Sequence, residues 1–205
     1  DKYADILPDL RTMQSLAKIL AKKRDLRGNI DFATKEVYFV YDDHGFVVDV
    51  KPYEHTFAHQ LIEEFMIAAN ESVADYATEL GLPFVYRVHD KPDEEKMNTL
   101  LALMGGVGIT VKHSKEMCSS VLQDALRQAE NTPYFNLIND VMLRTMQKAK
   151  YSTVNSGHFG LASRRYCPFT SPIRRYPDLI VHRILKTAIA GKMTEKALRA
   201  YAVMA

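Results

Sequence analysis

Apolar residues recur at helical spacing along most of the chain, and short strand-like runs interrupt them. Leu10, Met13, Ala17 and Leu20 mark one stripe, widened by Leu16, which predicts an amphipathic helix over residues 8–25. Lys22, Lys23 and Arg24 near its end suit the negative pole of the helix dipole. Arg27-Gly28 breaks the pattern. Residues 29–32, 36–41 and 46–50 then read as short strands, with a turn at Asp43-His44-Gly45. The longest predicted helix covers residues 56–80, about seven turns without an internal proline or glycine. Its stripe is Leu61, Phe65 and Ala68, broadened by Ile62, Met66, Ala69 and Val73. His59, Glu63 and Asn70 share another face. A helix this apolar is largely buried, so Glu63 at its border needs a partner.

The second half alternates helices with breakers. FVYRVH at 84–89 reads as a buried strand ahead of Lys91-Pro92, and Asp93 caps a helix that runs to about Met104. Gly105, Gly106 and Gly108 fit a helix-to-loop transition better than a phosphate-cradling fingerprint. Helices are predicted near 115–129 and 135–149, joined by Asn131-Thr132-Pro133. Gly157-His158-Phe159-Gly160 is a loop whose glycines permit close backbone approach. The densest chemistry lies at 169–183, FTSPIRRYPDLIVHR. A helix can start at Ser171-Pro172, or at Pro177 with Ser171-Pro172 as a separate turn. Either way Arg174 and Arg175 meet unpaired backbone N–H groups, a suitable seat for a phosphate. The fold class that follows is α+β, mostly helical with short antiparallel strands.

Charge sharpens that reading. Residues 151–192 hold Arg164, Arg165, Arg174, Arg175, Arg183, Lys186 and Lys192 against Asp178 alone, a net +6 within a chain of +2. A basic segment on an otherwise acidic body is the footprint of a polyanion-binding face. Asp42, Asp43, His44 and Asp49 form the one local acidic cluster that invites a metal, but turn chemistry explains them as well. No run of eighteen apolar residues occurs, nothing resembles a signal peptide, and Cys118 and Cys167 lack the spacing of a zinc site. No membrane role and a reducing cytoplasm are therefore expected. A start at Asp1 without methionine and an end in YAVMA lead us to expect a piece of a longer protein.

FTSPIRRYPDLIVHR, together with GHFGLA at 157–162, resembles the RNB family of exoribonucleases, the ribonuclease II and ribonuclease R enzymes. LRGNIDF at 26–32, AHQLIEEFMIAAN at 58–70, YRVHDKP at 86–92 and LRTMQKAKYS at 143–152 follow the family's order and spacing, and YPDL looks more like the ribonuclease R branch. The resemblance implies 3′→5′ hydrolysis of single-stranded RNA to 5′-nucleoside monophosphates, with Mg²⁺ held by aspartates. Residues 1–205 are then part of the catalytic domain. The aspartate-rich segment is expected upstream, and the flanking RNA-binding β-barrels are not matched. Arg174, in the SPIR motif, is the expected catalytic arginine that stabilises charge on the scissile phosphate. Phe32 is either a core aromatic or, by resemblance, the ring that stacks on a base near the 3′ end. Glu63 matches a glutamate that reads the ribose. Ser171, Arg175, Tyr176 and His158 complete the expected RNA-binding set. RNA-decay or ribosome-associated proteins are candidate partners. Two other readings stay open, a non-catalytic RNA-binding or regulatory module and a domain whose basic face meets an acidic protein.

Overall fold

A computed structural model describes residues 2–33, 36–111 and 118–204. A short 3₁₀ turn leads into α1 (Leu7–Arg27), which has a proline in its first turn and ends at Gly28 in the left-handed conformation, φ +90°. Gly28 is also pressed against α4: a Cβ there would lie 2.5 Å from Ser120 Cβ. The β1 (Val37–Tyr41) and β2 (Val47–Pro52) strands form an antiparallel hairpin that is exposed almost throughout. Next comes α2 (Phe57–Glu79), opened by a capping box in which the Thr56 N–H donates to His59 Nδ1 at 3.1 Å. The chain continues through β3 (Tyr86–Val88), α3 (Glu94–Gly106), α4 (Ser119–Ala129), α5 (Phe135–Thr145), β4 (Lys150–Ser152), α6 (Tyr176–Ile189) and α7 (Glu195–Met204).

Two apolar clusters carry the packing. In one, Met97, Leu100 and Met104 of α3 meet Leu122 and Leu126 of α4 and Ile138 and Met142 of α5, with Ile30 and Ile109 closing it. In the other, Ala74 and Ala77 of α2 pack with Phe84, Val85, Tyr86 and Val88 against Cys167 and Ile180, Val181, Ile184 and Leu185 of α6. Truncating a fully buried Leu100 to alanine costs about 2–5 kcal/mol at such sites.

Four expectations change. Residues 29–32 form no strand, because their polar partners are not a neighbouring strand. Ile30 N–H donates to the Gly160 carbonyl at 2.9 Å, and the backbone of Ala33 exchanges two hydrogen bonds with the Asn139 amide at 3.0 and 3.1 Å. The 135–149 helix stops at Thr145, since Lys150–Ser152 pairs antiparallel with Tyr86–Val88. Part of the expected 115–129 helix, residues 112–117, lies outside the described residues. The buried stripe of α2 is Glu64, Ile67, Asn70, Ala74 and Ala77, one position away from the stripe read from apolarity. On α1, Leu10 and Leu16 remain exposed, while Ala17 and Arg24 are buried.

Candidate functional site

The outer face of α2 borders a groove built from two adjoining clefts. One, about 590 Å³, lies between Arg24, the 30–33 segment, Tyr53, His55 and Glu63. The other, about 650 Å³, runs from His59, Met66 and Asn70 to Tyr166, Thr170 and Arg175. Glu63 and Leu161 line both, so the two clefts adjoin there.

At the first end, Phe32 is half-buried. It packs on the α3–α5 cluster and also lines this cleft. Behind it lies an ion cluster that sequence reasoning missed. Arg24 donates from Nη2 and Nε to Glu64 Oε1 at 2.6 and 3.1 Å, and from Nη1 to Asp31 Oδ1 at 3.2 Å. Its Nη2 also comes within 3.7 Å of Glu63 Oε1. Burial by itself would lower the basicity of Arg24, but the Glu64 hydrogen bond and the Asp31, Glu64 and Glu63 charges outweigh it and raise the pKa. Asn29 Nδ2 donates to the same Asp31 oxygen at 2.7 Å. A legible signal did exist. Glu63-Glu64 on a largely buried helix requires one of the two to face inward, and an inward carboxylate requires a buried cation.

At the second end the structure selects the later helix start. Pro172–Arg174 form a turn, Arg175 is the N-cap of α6, and Pro177 stands in its first turn. Asp178, fully buried, accepts from the Ser171 N–H and from Arg175 Nη2, both at 2.8 Å. The protein's own carboxylate thus takes part of the anion seat expected for a phosphate. Thr170 Oγ1, Arg175 Nε, Asp178 Oδ2 and Asn70 Oδ1 are buried without a hydrogen-bond partner among the described residues. Arg174 is exposed, with no side-chain bond among the described residues, and Tyr176 is 64% exposed. Ser171 serves this corner through its backbone.

His158 is not in the groove. It lines a separate cleft with His89, Arg27, Lys91 and Arg164, and its ring meets those of His89 and Tyr166 at 5.0 and 5.4 Å. Burial, then the nearby His89 and Arg87 charges, lower its pKa from 6.5 to about 4. Its Nδ1 accepts from the Leu161 N–H at 3.3 Å, which supports the shared wall from behind.

No group of three or more His, Cys, Asp or Glu suited to a metal occurs among the described residues. Asp42 is engaged by the His44 and Phe46 N–H groups at 2.9 Å, as a turn residue. The described residues therefore do not make a site for the expected metal.

The mostly helical frame with its short antiparallel strands is that of a known domain class, and residues 1–191 match the RNB domain family. The chain belongs to that family. Ribonuclease R of Aquifex aeolicus is 46% identical over 191 residues, 93% of this chain and 27% of that protein. Ribonuclease R of Thermotoga maritima is 47% identical over 172 residues, 83% of this chain and 24% of its own. The solved structure of Mycoplasma genitalium RNase R in complex with ribose methylated single-stranded RNA matches with a TM-score of 0.89 at 32% identity, over 96% of this chain and 31% of that one. The chain thus spans about a quarter of the length of the curated relatives it matches. Exoribonucleases of the family depend on metal.

Proposed function

We propose that this chain is the 3′-end-gripping part of the catalytic domain of a 3′→5′ exoribonuclease that hydrolyses single-stranded RNA. The observation that carries the reading is the pair of adjoining clefts, one lined by Phe32, the other by Arg175 and both by Glu63. Phe32 offers a face on which any base can stack. The Glu63 carboxylate can accept from a ribose 2′-hydroxyl, which deoxyribose lacks. Arg174, exposed next to Arg175 in the chain, would supply a planar donor for developing phosphate charge. Mg²⁺ is the metal we assign to the full-length protein, with ligands other than the described residues. Both cysteines are free, Cys118 exposed, which fits the reducing cytoplasm proposed as its location.

The test uses the full-length protein with 5′-labelled single-stranded RNA and Mg²⁺, with and without EDTA. Stepwise shortening from the 3′ end, abolished by chelation, is expected. Internal cuts would overturn the reading. Binding that falls steeply with salt but shortens nothing would establish the non-catalytic module instead.

A further inference from the structure

Lys22 and Lys23 are exposed, while Arg24 beside them is 5% exposed and faces the groove wall. Its one guanidinium grips Glu64 and Asp31 and reaches Glu63. Asp31 immediately precedes Phe32, and Glu63 immediately precedes Glu64. The aromatic ring and the groove carboxylate are therefore each tied, one residue away or directly, to the same rigid fork.

Stability alone does not account for this arrangement. The Arg24–Glu64 pair is buried, but the side chains of Asp31 and Glu63 are 71% and 44% exposed, and exposed ion pairs add little. A planar fork that hydrogen-bonds buried Glu64 and solvated Asp31 at once, with Glu63 within 3.7 Å as an ion pair, instead fixes geometry, which a lysine's point charge cannot do.

We propose that Arg24 is a positioning residue that sets the spacing between the Phe32 ring and the Glu63 carboxylate, and that discrimination between ribose and deoxyribose at an RNA 3′ end depends on it. The proposal rests on reading Glu63 as the ribose contact. Arg24 acts through Asp31 and Glu63, while the nucleotide meets Phe32 and Glu63.

The experiment compares single-turnover release of the last nucleotide from two oligoribonucleotides that differ only in a 2′-hydroxyl on that nucleotide. Full-length protein is used, with Arg24→Lys, Asp31→Ala and Glu63→Gln variants, each also followed by thermal melting. Displacement of reacting groups by about 1 Å can cost 10²-fold, so Arg24→Lys and Asp31→Ala are each expected to lower the ribose-to-deoxyribose rate ratio by about tenfold or more. A purely structural role would lower the melting temperature and slow both substrates equally, leaving the ratio intact. An intact ratio in both variants, with Glu63→Gln abolishing discrimination, would overturn the positioning role and leave the groove reading standing. A ratio unchanged by Glu63→Gln would overturn the Glu63 reading itself, and this inference with it. Should Arg24→Lys fail to fold, Asp31→Ala alters an exposed side chain and carries the same test.

Discussion

The two ends of the groove satisfy their charges in opposite ways. Around Arg24, one buried cation faces three carboxylates, and its hydrogen bonds to two of them are made within the protein. Around α6, Asp178 is buried against Arg175, yet Thr170 Oγ1, Arg175 Nε and Asp178 Oδ2 find no partner among the described residues, and Arg174 is exposed. The first end is preformed and rigid. The second combines a fixed scaffold with unspent donors and acceptors, which is what a site for a polar, charged ligand requires.

The largest effect should come from breaking the preformed end. Glu64→Ala leaves Arg24 buried beside half-solvated carboxylates only, and loss of one partner of a buried pair costs about 3–5 kcal/mol. Denaturant unfolding measures it, and a loss below 1 kcal/mol would show that Asp31 and Glu63 compensate. At the other end, Arg174→Lys should leave stability unchanged, because the side chain is exposed. In the full-length protein it should lower turnover by about 10²–10³ while RNA affinity changes far less. Equal losses in both would mean that Arg174 only binds.

The wall between the ends can be probed by pH. His158 has a pKa lowered from 6.5 to about 4, so the unfolded chain takes up its proton before the folded one does. Stability should therefore be intact above pH 6.5 and fall as pH drops toward 4, with a slope approaching 1.4 kcal/mol per pH unit, about 3 kcal/mol in all. His158→Gln should flatten that slope in melts across the window. The smallest effect concerns Phe32→Ala, which should weaken RNA binding by roughly 1–3 kcal/mol and lengthen the shortest undigested product. A fall in melting temperature with the same end product would leave Phe32 as a core residue alone.

The long helices, the hairpin and the helical-plus-strand class were legible because apolar spacing, turn residues and caps are local properties of the chain. Arg174, Phe32 and Glu63 were legible as chemistry through their motifs. Which face of α2 is buried was not, because a glutamate on the inward stripe contradicts apolarity until its cation is found forty residues earlier, in Arg24. The same distance hid Asn139 holding Ala33, β4 pairing with β3, and His158 turning away from the groove toward His89. Side-chain type and local period are written in the sequence, but the partner that satisfies a buried charge or an extended backbone is fixed only by packing between distant segments. For this chain, the sequence named candidate residues by type and motif, and the tertiary structure decided which of them line the same clefts and which ion pairs stand beside them.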